Sequence, residues 1–275
     1  MICSRRFYLF SKNVKPLFPF LFIFILTFIA IQNEKVFRKF NHNNQRIFCI
    51  ILTMPQNLNN KTKLVFDLWV NKCDGHIFLS TIPDELLNDN QKKSDKIING
   101  LEIDIGFKVF QPPNYTKEKY GKLTDKTLSA FKYVYQYNSD FDFYLKADDD
   151  TYIFMDNLRL FLSSKNRTNP FAYGYKYQAV NGYLSGGAGY LLTNEAITRL
   201  IKCINGNKIN YLLSQIEDID ISKMLKKVDV NLKVSVDEKG RDLFHPFSIK
   251  HHYEGYFPKW MQHYPENPVK KVLFL

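Results

Sequence analysis

Two kinds of apolar run divide the chain. The first, Leu17 to Ile31 (LFPFLFIFILTFIAI), has Thr27 as its one polar residue and lies at the short end of what spans a bilayer. The second kind is shorter. Ile47 to Thr53 (IFCIILT) is continuous and β-branched, as in a strand buried on both faces, and Met54-Pro55 ends it. Leu58, Leu64, Val65, Leu68 and Trp69 then fall at helical spacing up to Cys73, and HIFLST from His76 reads as a second strand. Phe107 to Pro113 (FKVFQPP) predicts a third strand, and a helix over about Thr124 to Tyr137 runs into FDFYLKADDD. Beyond Asp150 the pattern predicts a helix near Asp156 to Leu162, a strand AYGYKY, the glycine-rich YLSGGAGYLLT, and helices near Asn194 to Cys203 and Glu217 to Lys226. From Val236 onward the chain is irregular and aromatic. Strands alternating with helices, without an internal repeat, predict an α/β layer with a mainly parallel sheet.

Charge orients the first run. Arg5, Arg6, Lys12 and Lys15 precede it, which favours a cytosolic N-terminus and a translocated remainder. A cleaved signal peptide is the competing reading, but no pair of small residues at cleavage spacing surrounds Ala30. A core element of a soluble protein fits poorly with so apolar a run. The expected organisation is a cytosolic tail (1–16), a transmembrane signal anchor (17–31), a polar, Asn-rich stem (32–45) and a luminal domain (46–275). Sequons at Asn60, Asn114 and Asn166 permit luminal exposure without proving it, since about two such triplets arise by chance in a chain this rich in Asn. Of the cysteines, Cys3 falls on the cytosolic side, leaving Cys49, Cys73 and Cys203, enough for one disulfide with one thiol left over. No paired-cysteine zinc spacing occurs. The net charge of +11 comes from Lys and Arg scattered along the chain, with no nucleic-acid-binding motif, so no nucleic-acid partner is expected.

The most informative feature is Asp148-Asp149-Asp150 directly after the apolar run Phe141 to Leu145. In an open α/β sheet the carboxyl ends of strands are where ligands bind. Adjacent carboxylates repel and call for a cation or solvent to offset them; without Cys or His nearby, these hard oxygens suit Mg²⁺ or Mn²⁺ bound together with substrate phosphates. An acidic surface turn is the plain alternative. In SGGAGY, Gly186, Gly187 and Gly189 let backbone approach a ligand closely, or simply make a tight turn. Glu217-Asp218 opens a predicted helix, where exposed N–H groups keep a carboxylate ionised.

YLKADDDTYIF, YLSGGAGYLLT and IEDIDISKML stand in a fixed order, and with CIILTMPQNLNNKTKLVFDLWVNKC and KGRDLFHPFSIKHH they make the chain resemble the β-1,3-glycosyltransferases that include fringe, above all the core 1 β-1,3-galactosyltransferases. The resemblance covers nearly the whole expected luminal domain. It implies a GT-A type, Rossmann-like nucleotide-sugar-binding domain, with Mn²⁺ and UDP-galactose. By the same resemblance Thr53 and Pro55 border the uracil. Asp148 approaches the ribose side of UDP, Asp148 and Asp150 are the metal candidates, and Asp149 supports the loop or the sugar. Gly187 and Ala188 belong to the floor of the donor-sugar pocket, and Asp218 is the general base. It also implies a Cys49–Cys73 disulfide around the first helix. Met224 stands where the family usually has cysteine, which leaves Cys203 free. Late motifs FHPF (Phe244 to Phe247) and His251-His252 match, while Trp260 and Tyr264 either stack on a sugar or pack in a core.

One departure stands out: family members continue past the position of Tyr264 with a cysteine pair and a metal-ligating histidine, whereas this sequence ends at Leu275, so a C-terminal truncation with an incomplete metal site is expected. The implied reaction is inverting transfer of galactose to the 3-hydroxyl of GalNAc-Ser/Thr on glycoproteins, in the Golgi or endoplasmic reticulum membrane, with a homodimer left open. The alternatives are an inactive paralogue serving as a folding partner or glycan binder, and a fringe-like β-1,3-transferase of another sugar.

Overall fold

The computed structural model describes residues 45–87, 100–115, 117–206, 213–237, 239–247 and 254. The expected tail, anchor and nearly all of the stem lie outside the described residues, as do His251, His252, Trp260 and Tyr264. Among the described residues, no helix is long and apolar enough to cross a membrane.

A mixed sheet forms the centre. Its strands are β1 (Ile47–Leu52), β2 (Gly75–Leu79), β3 (Leu101–Asp104), β4 (Lys108–Gln111), β5 (Phe143–Asp148), β6 (Phe171–Gly174), β9 (Tyr190–Thr193) and β10 (Asn231–Val234), while β7 (Lys176–Tyr177) and β8 (Tyr183–Leu184) form a separate pair. The order is β10-β6-β9-β5-β1-β2-β4-β3. β1 runs parallel to both β2 and β5, β2 is parallel to β4 and β6 to β10; β9 is antiparallel to β5 and β6, and β3 to β4.

Strict alternation along β1 splits the core. Ile47, Cys49 and Ile51 join one cluster with Val65, Trp69, Leu158 and Leu162, which come from α1 (Lys63–Leu68), the turn after it and α3 (Met155–Leu162). Phe48, Ile50 and Leu52 join the other, with Phe131 and Val134 of α2 (Leu123–Tyr137), Leu200 of α4 (Asn194–Asn205) and Leu225 of α5 (Glu217–Lys227). Helices on both faces of a largely parallel sheet are what the continuous apolar reading of Ile47 to Thr53 requires.

Four local expectations change. The helix expected from Leu58 to Cys73 is a series of short pieces: a 3₁₀ turn at Pro55–Asn57, a π turn at Leu58–Thr62, α1, and a 3₁₀ turn at Val70–Lys72. Asn-rich sequence favours helix weakly, and the Thr62 hydroxyl is drawn inward to Thr53 at 2.6 Å, which suits a widened turn. AYGYKY divides between β6 and β7. The expected third strand shortens to β4 and gains a hairpin partner, β3, closed by a loop at Gly106, whose φ of +94° needs glycine. β3 and β10 escaped the periodicity reading because each buries a single side chain, Ile103 or Leu232.

Cys49 and Cys73 form a disulfide with a sequence separation of 24, joining β1 to the end of the helical segment, and Cys203 is free. Closing a loop of that length is worth about 3 kcal/mol. Replacing both cysteines by alanine is therefore expected to lower the unfolding free energy in urea by about that amount. Non-reducing peptide mapping should recover the Cys49–Cys73 link with Cys203 as a thiol.

Candidate active site

The sheet changes winding direction at β1, since β2 continues to one side and β5 to the other, and a crevice opens at the carboxyl ends of such a pair. Register sets Leu52 opposite Asp148, so the loop after β1 meets the aspartate triplet. Here Asp149 is buried and held. Its amide donates to the Leu52 carbonyl at 3.0 Å, and its Oδ2 accepts from Thr53 Oγ1 at 2.6 Å and Asn57 Nδ2 at 2.7 Å. Pro55 opens the 3₁₀ turn that carries Asn57. From below, the buried Lys126 ammonium donates to the Thr53 carbonyl and to Glu118 Oε2 at 2.8 Å. Burial lowers the pKa of Lys126, with Glu118 opposing.

Asp148 is half-buried, and its Oδ1 accepts from Lys146 Nζ at 2.7 Å; Asp150 is exposed. Lys146 also donates to the Gly186 carbonyl at 3.3 Å and faces Glu217 Oε2 at 3.6 Å. Burial pushes this ammonium toward neutrality, but Asp148, Glu217 and Asp218 together outweigh it and hold its pKa above the ordinary lysine value. Glu217 is buried and its pKa is raised chiefly for that reason, against Lys146 and against Tyr190, whose hydroxyl donates to Glu217 Oε1 at 2.7 Å.

The glycine-rich loop closes the third side. Thr151 Oγ1 donates to the Gly187 carbonyl at 3.2 Å, the Ala188 amide to Ser185 Oγ at 3.3 Å, and Trp69 Nε1 to the Thr151 carbonyl at 3.0 Å. A β-carbon on Gly186 would stand 3.0 Å from Glu217 Oε2, whereas one on Gly187 would meet nothing within 4 Å. Gly186 is thus demanded by packing and Gly187 faces open space. At the start of α5, Asp218 Oδ2 accepts from the Gly186 amide at 3.1 Å and Oδ1 from the Ile219 amide at 2.9 Å. Burial raises the Asp218 pKa, and these amide bonds oppose it. Asp220, one turn in, is buried and accepts from Thr124, from the Ser214 hydroxyl and amide and from the Gln215 amide, so it is a structural carboxylate.

Lys146 and Gly186 thus link Asp148 to Asp218, while Thr53 holds Asp149, Thr151 holds Gly187 and Ser185 holds Ala188; Pro55 and Asp150 follow in sequence from Thr53 and Asp149. Phe244 of the FHPF motif is buried in the core. Sequence reasoning passed over Lys146, Asn57, Thr62, Tyr190 and the part played by Glu217. A lysine within the apolar stretch FYLKA was the available signal, because a charge in a strand covered on both faces needs a buried partner. Among the described residues, no group of three His, Cys, Asp or Glu could hold a metal ion. Asp150 is exposed and Asp148 commits one oxygen to Lys146; carboxylate oxygens are the donor type that a hard divalent cation takes together with phosphate and water.

A galactosyltransferase family model matches residues 114–186, which contain β5, the aspartate triplet and the first glycine of the loop. The chain is 33% identical over 210 residues to glycoprotein-N-acetylgalactosamine 3-beta-galactosyltransferase 1 of Xenopus laevis, covering 75% of this chain and 52% of that protein. It is 24% identical over 144 residues to chondroitin sulfate synthase 3 of Homo sapiens, covering 48% of this chain and 16% of that protein. The chain therefore spans about half the length of the frog relative and a smaller part of the human one.

Because the folded pKa of Asp218 is raised, its stabilising contribution is full at acid pH and is lost as pH rises through that pKa. The unfolding free energy of wild type relative to Asp218→Asn is therefore expected to fall between pH 4 and pH 8. The fall is about 1.4 kcal/mol for every tenfold by which folding weakens the acidity of this carboxyl. Taking the difference cancels the titration of groups common to both proteins, and any pH-independent loss in the variant adds only a constant offset. Parallel denaturation curves across that range check the sign.

Proposed function

We propose that this chain, similar to a core 1 β-1,3-galactosyltransferase over the residues the two share, is an inverting glycosyltransferase that moves galactose from UDP-galactose to the 3-hydroxyl of GalNAc-Ser/Thr on glycoproteins. The observation that carries the reading is the coupling of the aspartate triplet to Asp218 through Lys146 and Gly186 at the carboxyl edge of β1 and β5. Donor chemistry and acceptor chemistry need to meet at one carbon, and these two carboxylate motifs are fastened to the same loop.

In this reading Thr53 and Pro55 border the uracil, and Asp148 and Asp149 face the ribose and the start of the sugar. Gly187, with no side chain and open space before it, and Ala188 floor the galactose. Asp150 and Asp148 are the carboxylates that would hold Mn²⁺, which when bound supplies charge neutralisation for the diphosphate leaving group. Asp218 takes the proton of the acceptor hydroxyl as that oxygen bonds to the anomeric carbon and the bond from that carbon to the diphosphate breaks, inverting configuration. Burial makes Asp218 a stronger base than an exposed aspartate, and two backbone amides fix the direction of its oxygens. The site belongs to the lumen of the secretory pathway, reached by the run from Leu17 to Ile31 as a type II anchor.

Asp150→Ala is expected to abolish Mn²⁺-dependent UDP binding by calorimetry together with transfer. Asp218→Ala should leave UDP affinity within about twofold while turnover drops about 10²- to 10⁴-fold. Wild-type protein that binds neither Mn²⁺ nor UDP would sink the enzyme reading in favour of a folding partner or glycan binder. Turnover on an acceptor other than a GalNAc-peptide, or with another UDP-sugar, would move the assignment to a different β-1,3-transferase.

A further inference from the structure

Lys146 lies in the middle of the site yet is 2% exposed, so its ammonium has lost nearly all its water and depends on protein partners. Those partners come from three separate segments. Asp148 Oδ1, at 2.7 Å, ends β5; the Gly186 carbonyl, at 3.3 Å, belongs to the glycine-rich loop; Glu217 Oε2, at 3.6 Å, begins α5. Glu217 is in turn tied by Tyr190 through its other oxygen, and the amide of Gly186 holds Asp218. The arrangement has little slack, since a β-carbon on Gly186 would come within 3.0 Å of Glu217 Oε2, 3.3 Å of Asp218 Cβ and 3.5 Å of Lys146 Nζ.

We propose that Lys146 is the positioning residue of the site, its ammonium fixing the carboxylate of Asp148 on the donor side and, through Glu217 and Gly186, the helix turn that presents Asp218 on the acceptor side. The inference rests on the donor and base roles assigned above. Its physical content is that one positive charge sets two negative groups from different elements. With an apolar group in its place, Asp148 and Glu217 would face each other and Asp218 across a dry gap, and the gap would open or admit water. Lys146 itself is enclosed and acts through its neighbours; it has no need to touch the substrate.

The test is a double-mutant cycle on UDP affinity, measured by calorimetry with and without Mn²⁺. Lys146→Met removes the charge and leaves an unbranched side chain one atom shorter. It is expected to weaken UDP binding about tenfold or more in the wild-type background, but less than about twofold in an Asp148→Asn background, because a residue acting through Asp148 has nothing left to position there. Where Lys146→Met alone fails to fold, Lys146→Met/Glu217→Gln removes one charge of each sign and serves in the same cycle. A purely structural lysine would lower the melting temperature and give equal losses in both backgrounds. Equal losses, or an unchanged affinity, overturn this inference alone. A wild-type chain that binds no UDP in either condition overturns the reading of the site and this inference with it.

Discussion

A cation enclosed in a sheet has to be neutralised by groups that come to it, and this requirement organises the edge of the molecule where β1 and β5 end. Lys146 projects from the central strand pair and recruits carboxylates from β5 and α5 and a carbonyl from the loop between β8 and β9. Desolvating an ammonium costs several kcal/mol, so segments that could settle independently are held to a common geometry. Lys126 does the same on the other side of the crevice, under the Thr53 carbonyl and against Glu118. Two buried lysines thus flank a row of aspartates, and the row can stay close together because its charge is partly answered from beneath.

How far sequence reached depended on how much of each signal was local. β1 was legible because both its faces are buried, and the continuous apolar run says so without reference to anything else. The two later helices, α4 and α5, matched their expected starts at Asn194 and Glu217. The broken first helical segment was not legible, because its π turn depends on a hydroxyl contact between Thr62 and Thr53, which is a matter of tertiary geometry. β9 lay within a glycine-rich stretch, and nothing in YLLT indicates that it runs against its neighbours.

At the site, the same division applies. Asp148, Asp149 and Asp150 could be read from their position after an apolar run, and Gly186, Gly187 and Gly189 from their lack of side chains. The difference between the three aspartates could not: one is bound to a lysine, one is locked by Thr53 and Asn57, and one faces solvent. Likewise Asp218 and Asp220 look equivalent in EDID, yet Asp220 spends both its oxygens on Thr124, Ser214 and Gln215 and anchors the helix. Identical residues two apart divide the labour because only one of them faces the crevice.

The Thr62 hydroxyl has a role outside the site's chemistry, because Asn60-Lys61-Thr62 is also a sequon. In the folded chain Thr62 is fully buried and its hydroxyl is engaged with Thr53, while Asn60 stays on the surface. The hydroxyl that marks Asn60 for modification is therefore the one that closes the loop beside Asp149, and it cannot be read by another enzyme once that loop has formed. Asn166 and Thr168 are both exposed, so their sequon stays readable. Order of events is thereby written into the fold: a sugar chain at Asn60 would have to be attached before the loop closed by Thr62 has formed, whereas Asn166 imposes no such deadline.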